Sequence, residues 1–242
     1  MENIDIISEK GRRTGFIPFL LTAALTLFFT LIGYYAGVHY GINVATESAL
    51  EILEYRAADP KTTDPSLIRS SPAAVYGIED ADSVIRVFID LECSSCASFI
   101  EETISSLAQN SEYRVEFYDL PSENHRYSRS AAAYARCAAS QGVDYLTYVR
   151  QLSSDFSAWT SMLKETNVSE YLLQAAVKYG ADADQMNLCV IGEDVYEMID
   201  SNVESASAVG AEGTPSFIIG STVMNGYVSE KTFRSMMNKF GK

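Results

Sequence analysis

FIDLECSSCASF occupies residues 88–99, where an apolar run ends abruptly in Cys93 and Cys96 with two serines between them. The preceding residues extend that run to VIRVFIDL (84–91), a buried-strand candidate. Three chemistries suit such a pair. A structural zinc site takes four ligands, commonly from two CxxC-type pairs, whereas this chain has one CxxC, two scattered cysteines and only His39 and His125. A purely structural Cys93–Cys96 disulfide closes so small a loop that it removes little unfolded-chain entropy. Redox chemistry has a mechanism. If the strand ends near Glu92 and a helix begins at Ser94 or Ser95, Cys93 stands at the helix amino end, where free N–H groups and the dipole favour an anion. An ordinary thiol is only about 3% ionised at pH 7, and each unit of pKa depression gains nearly tenfold in thiolate. A thiolate attacks disulfides and departs from them readily, and Cys96, one turn on and facing inward, is placed to resolve the mixed disulfide.

The surroundings set the pair in an α/β pattern. CASFIEETISSLAQ (96–109) has helical apolar spacing at Phe99, Ile100, Ile104 and Leu107, and YRVEFYDLP (113–121) reads as a second strand stopped by Pro121. Strand, helix, strand within about forty residues predicts a βαβ unit with a right-handed parallel crossover. A helical tract follows, from the Ala-rich SRSAAAYARCAASQG (128–142) to VYEMIDSNVESASAVG (195–210), with Gly180 and Gly210 where C-terminal caps fall. The chain returns to strand in TPSFIIGS (214–221) and VMNGYV (223–228), then closes with SEKTFRSMMNKF, for which Ser229 is the expected N-cap. The predicted layout is β-α-β, helical block, β-β-α. Gly213-Thr214-Pro215 opens the returning strand, and a proline there is a demerit unless it is a cis proline shaping a deliberate turn. Beside the cysteines, such a loop offers free backbone groups to an extended peptide.

The first third differs in kind. Residues 16–38, FIPFLLTAALTLFFTLIGYYAGV, carry no charge. As a helix the run extends roughly 34 Å, enough to cross a hydrocarbon core of about 30 Å. Lys10, Arg12 and Arg13 precede it, while Glu47, Glu51 and Glu54 follow, which predicts a cytoplasmic N-terminus (1–15), a transmembrane signal anchor and an exported remainder. A cleaved signal peptide fits less well, because the run exceeds the usual h-region and no convincing small-x-small site follows. A buried core helix fits less again, since no face is polar. Residues 39–72 read as a short helix (43–56) and then a tether with Pro60, Pro65 and Pro72 among polar residues. The formal charge of −14 makes nucleic acid an improbable partner, and no Walker loop or GxGxxG follows a strand.

Three features together carry a resemblance: F-x-D-x-x-C-x-x-C-x-x-F at 88–99, DLPSENH before an Ala-rich helix containing Cys137, and V-G-A-E-G-T-P-S-F at 209–217. This set resembles the DsbA-like thiol:disulfide oxidoreductases of bacteria over roughly residues 75–242. The resemblance implies a thioredoxin fold over 73–242 with a helical insertion at about 125–210. It further implies Cys93 as nucleophile, Cys96 as resolving thiol, Pro215 as cis proline, and Thr214 as the residue whose backbone touches substrate. Neither a cofactor nor a metal is called for. Many members have proline and an aromatic or histidine between the cysteines, where this chain has Ser94 and Ser95. Many have a buried carboxylate six residues before the first cysteine, where this chain has Val87. Asp90 and Glu92 are the candidates to replace it as proton acceptor for Cys96, although the favoured expectation is a solvated strand-end charge. Cys137 and Cys189, an even remainder in an exported domain, lean towards a structural disulfide, with two buried free thiols as the alternative. His125 is expected to cap a loop or lie at the surface rather than to polarise the site, and Trp159 to pack.

The function expected is a membrane-tethered oxidase of exported proteins. A quinone-linked membrane partner of the DsbB or vitamin K epoxide reductase type would reoxidise it. The same chemistry in reverse, a reductase or isomerase recharged by a transmembrane electron carrier, is the nearest alternative. A non-catalytic polypeptide-binding module is another.

Overall fold

A computed structural model of the chain describes residues 25–41, 49–50, 53, 58–108 and 113–241. The chain divides into two units, residues 1–50 and 51–242. In the first, residues 25–41 form a helix (α1). Residues 16–24 of the expected transmembrane span lie outside the described residues, as do most of the expected helix 43–56. Among the described residues no helix is long and apolar enough to cross a membrane.

The second unit is built on a six-stranded sheet whose order across the sheet is β1 (Lys61–Thr62), β6 (Thr222–Asn225), β5 (Ser216–Ile219), β3 (Val84–Ile89), β4 (Arg114–Asp119), β2 (Ala74–Gly77). Its centre is β3 (Val84–Ile89), parallel to β4 (Arg114–Asp119) and antiparallel to β5 (Ser216–Ile219). The sheet pattern of period two decides its faces. Ile85, Val87 and Ile89 of β3, Val115 and Phe117 of β4, and Phe217 and Ile219 of β5 point into the main core. The intervening Phe88, Tyr118 and Ile218 join Val209, Ala206 and Ala211 in a smaller cluster on the opposite face. Between β3 and β4 the chain forms α2 (Ser94–Phe99), one π-helical turn (Ile100–Ile104) and α3 (Ser105–Ala108). The hydroxyl of Ser105 donates to the Ile100 carbonyl within that turn, so the wider winding leaves this acceptor satisfied. This is the βαβ unit expected from the sequence, with the helix starting at Ser94 as expected and the strand ending at Ile89 rather than Leu91.

Six helices fill the expected insertion: α4 (Ser128–Ser140), α5 (Tyr145–Ser154), α6 (Phe156–Thr160), α7 (Glu165–Lys178), α8 (Ala183–Val190) and α9 (Glu193–Val209). Gly210 ends α9 at φ 77°, the left-handed geometry that favours glycine at this cap. Then β5 and β6 (Thr222–Asn225) form a hairpin, and α10 (Glu230–Phe240) closes the chain with the Ser229 hydroxyl accepting from the Thr232 amide. Phe99 of α2, Phe217 of β5 and Phe233 of α10 meet with ring centroids 4.8–5.7 Å apart. The trio fixes α2 against the strand that follows Pro215. Each fully buried ring contributes roughly 2–3 kcal/mol of transfer free energy.

The tether reading of 39–72 needs correction from residue 58 onward. Lys61–Thr62 (β1) pairs with β6, Ala58 is buried, and the Thr63 hydroxyl donates to the Val209 carbonyl. Asp64 caps a 3₁₀ turn at Pro65–Leu67. A further strand absent from the expected layout, β2 (Ala74–Gly77), pairs antiparallel with β4 at the opposite edge. Two and four residues are too short to show a period, so backbone pairing rather than side-chain pattern creates these strands.

Candidate active site

The turn from β3 into α2 places the two thiols. The Cys93 amide donates to the Asp90 carbonyl at 3.1 Å, closing a turn over residues 90–93, and Cys93 becomes the N-cap of α2. Cys93 is half-buried and Cys96 fully buried, both as free thiols. The Asp90 amide lies 3.5 Å from Cys96 Sγ, and Cys93 Sγ lies 3.5 Å from the Thr214 carbonyl. The Thr214–Pro215 peptide is cis. Strand β5 begins only at Ser216, so the proline precedes the ladder instead of interrupting it. The loop is braced from β6: Asn225 Oδ1 accepts from the Glu212 amide and the Ser216 hydroxyl, and the Gly226 amide donates to the Pro215 carbonyl at 2.7 Å.

The thiols ionise in opposite directions. The Cys93 pKa is lowered to about 5, foremost by the hydrogen bond from Cys96, against the effect of burial, with the Thr214 side chain and the Cys96 and Ser95 backbone adding to the depression. Burial pushes Cys96 well above the ordinary thiol value, and its hydrogen bond to Cys93 and the charge there push it further. Above about pH 5 the pair is therefore one half-buried thiolate and one fully buried thiol, the arrangement a nucleophile and its resolving partner require.

Asp90 and Glu92 correct the expectation of solvated charges. Asp90 is 1% exposed. Its carboxylate accepts from the Glu92 and Ser122 amides, each at 2.8 Å, and pairs with His125 Nδ1 at 2.7 Å. The backbone N–H of Asp90, rather than its carboxylate, is what meets Cys96. Glu92 Oε2 accepts from the Tyr127 amide. Both acids thus fasten the 120–127 loop to the dithiol turn. His125, expected to cap a loop or lie at the surface, sits in the 120–127 loop with its ring on the Asp90 carboxylate. The signal available was its place in DLPSENH, one of the segments that carried the resemblance. Val87 is fully buried in the main core, so no carboxylate lies at that position. Cys137 on α4 and Cys189 on α8 are joined by a disulfide, Cα atoms 5.9 Å apart. Trp159 is fully buried, its indole N–H donating to the Leu152 carbonyl. Beside α2 an open cleft is lined by Ser94, Ser95, Ser98, Glu102 and Tyr227.

An α/β sheet with a helical insertion, a dithiol at the amino end of a helix and a cis proline facing it define a thiol:disulfide oxidoreductase of the DsbA-like thioredoxin class. The chain belongs to the thioredoxin family described as Thioredoxin_4, which matches residues 70–239. Among solved structures it is similar to a thioredoxin-like oxidoreductase from Silicibacter pomeroyi (20% identity, 73% of this chain and 96% of that one, TM-score 0.58). The thiol-disulfide exchange protein α-DsbA2 from Wolbachia pipientis is similar at 19% identity over 81% of this chain and 97% of its own, TM-score 0.58. A periplasmic thioredoxin-like protein from Salmonella enterica serovar Typhimurium matches at 20% over 72% and 93%, TM-score 0.57. A curated relative, the Na(+)/H(+) antiporter NhaA of Herminiimonas arsenicoxydans, is 23% identical over 73% of this chain, which spans 28% of that protein's length.

Proposed function

We propose that the protein is a membrane-tethered, extracytoplasmic oxidase that introduces disulfides into exported proteins through Cys93 and Cys96. The observation that carries this reading is the split between the thiols: Cys93 is held ionised down to about pH 5 while Cys96 is held protonated. A thiolate stabilised to that extent favours the reduced enzyme, which makes its disulfide form a strong oxidant. In the forward direction a client thiolate attacks Cys93 of the Cys93–Cys96 disulfide, forming a mixed disulfide and releasing Cys96, which takes a proton. A second client thiolate then attacks the client sulfur of that bond, and Cys93 leaves as thiolate. Two electrons pass from the client to the enzyme, and a quinone-linked membrane partner of the DsbB or vitamin K epoxide reductase type removes them. Thr214 and the cis Pro215, alongside Cys93, present backbone to the extended client. The uncharged run 16–38, with basic residues before it and acidic residues after, supports the tether and the exported orientation. The periplasmic description of the Salmonella relative supports the same compartment.

Trapping with Cys96→Ala tests the chemistry: mixed disulfides to exported proteins should accumulate on Cys93, and their absence would overturn it. The potential of the Cys93/Cys96 couple tests direction. A value near about −120 mV is expected, and one near about −270 mV would reverse the assignment to a reductase.

A further inference from the structure

Three open hollows along α2 run into one another. The first is the cleft lined by Ser94, Ser95, Ser98, Glu102 and Tyr227, so it begins at the two residues that separate the cysteines. The second shares Ser94, Ser98 and Glu102 and adds Glu101, with Ser154 of α5 and Phe156 of α6 across from them. The third shares Glu101 and Ser154 and ends at Arg150 and Tyr179. Together they form one groove that leaves the dithiol turn between the helix carrying the cysteines and the helical insertion. Ser94, Ser98 and Glu101 follow one another at the spacing that keeps side chains on one helix face, with Glu102 beside them. Both glutamates are exposed, and neither forms an ion pair among the described residues. The Tyr227 hydroxyl donates to Glu102 Oε2 at 2.6 Å and fixes that carboxylate at the groove wall. Arg150 is the single cation among the lining residues, and it stands at the far end, beyond Glu101. No aliphatic side chain larger than Ala97 lines the groove near the dithiol.

We propose that this groove selects client segments carrying a lysine or arginine about three residues from the reacting cysteine, with Glu101 and Glu102 as the specificity-determining residues. The proposal rests on the oxidoreductase reading above and names its client class. During exchange the client is bonded to Cys93, and the next residue of the chain, Ser94, already lines the groove. The distance sets the position of the cation. From Ser94 to Glu101 the helix rises roughly 10 Å, at about 1.5 Å per residue. An extended client covers that length in about three residues. A lysine there meets two carboxylates, whereas a glutamate is repelled by both. An apolar side chain finds little to pack against beyond Ala97, Phe156 and the Tyr227 ring. The formal charge of −14 acts in the same direction at longer range and is screened by salt, so the groove must be distinguished from it by where the charges lie.

The test uses the full-length chain with Cys93 and Cys96 oxidised, and two synthetic dithiol peptides of one sequence. They differ only in carrying lysine or glutamate three residues from each cysteine. Each rate of peptide oxidation is divided by the rate of the same peptide with hydroxyethyl disulfide, which removes differences in intrinsic thiol reactivity. The lysine peptide should be oxidised about fivefold faster at low salt, and equal rates would overturn the proposal. Glu101→Gln/Glu102→Gln should bring the ratio below about twofold, and an unchanged ratio would overturn it. Glu101→Lys/Glu102→Lys should invert the preference, an outcome that misfolding cannot produce; continued preference for the lysine peptide counts against the groove. Glu193→Gln/Glu197→Gln removes the same charge from α9, which lines none of the three hollows, and should keep the original ratio. An equal fall in that variant would assign the preference to net charge and defeat the groove. Oxidation of neither peptide by the unaltered protein would defeat the oxidoreductase reading, whereas oxidation of both without preference defeats the client class alone.

Discussion

At the scale of single residues, the chemistry depends on where one sulfur lies. Cys93 stands at the N-cap of α2, where the Cys96 hydrogen, the Thr214 side chain and the Ser95 and Cys96 amides act on its Sγ. These donors favour its charged form, and they outweigh burial. The sign is that of a depressed acid: the thiolate is present at higher pH and is lost as pH falls through the lowered value. Alkylation of the reduced protein by iodoacetamide should therefore rise with a midpoint at about pH 5. An ordinary thiol curve, with its midpoint near pH 8.5, would remove the basis of the mechanism. Thr214→Val deletes one donor and keeps the side-chain volume, so its midpoint should move up. Cys96→Ala deletes the foremost donor and should move it further.

At the scale of elements, buried polar contacts tie the helical insertion to the sheet, and one covalent bond joins two of its helices. Arg136 of α4 pairs with Asp119 at the end of β4 and donates to Asn202 Oδ1 of α9 at 2.6 Å, while the Asn202 amide donates to the Ser71 carbonyl at 2.9 Å. Burial raises the Asp119 pKa and the Asp90 charge adds to this, while Arg136 pulls it back. Arg136→Met leaves that carboxylate buried and unpaired, a loss of roughly 3–5 kcal/mol near neutral pH. A carboxyl raised in the folded state holds its proton better folded than unfolded. Its stabilising contribution is thus present at low pH and lost as pH rises. The deficit of the variant should accordingly shrink as pH is lowered through the raised Asp119 value, and urea midpoints at pH 7 and pH 4.5 check this. The Cys137–Cys189 disulfide spans 52 residues and joins α4 to α8. On the chain-entropy model the double variant Cys137→Ala/Cys189→Ala should lose about 4 kcal/mol. Its urea midpoint should fall while Cys93 alkylation keeps its pH profile, because neither cysteine lies at the dithiol.

At the scale of the whole molecule, the oxidase reading requires the globular unit to lie outside the reducing cytosol. A periplasmically active phosphatase fused after Lys242 should be active and should fractionate with membranes. Deleting residues 16–38 should leave it inactive in the cytosol, and activity there would contradict the proposed anchor. The sequence made much of this unit legible. The short apolar run VIRVFIDL, the helical spacing after Cys96 and the proline closing YRVEFYDLP sufficed for the parallel βαβ unit, because each segment is long enough to carry its own local signal. The edge strands at 61–62 and 74–77 lacked that length. Their pairing with β6 and β4 depends on backbone groups that carry no residue signature.

Sequence alone determined the dithiol and its spacing, the proline-bearing loop about 120 residues later, and the order of strands and helices between them. These follow from residue type and periodicity, which are local. Tertiary structure alone decided that Asp90 is buried and bound rather than solvated, and that His125 sits on it. It also decided that Thr214 meets Cys93 across 121 positions of chain. The physical reason is that the environment of a charge is made by whatever packs around it. Here those neighbours come from segments distant in sequence, joined only when the sheet forms.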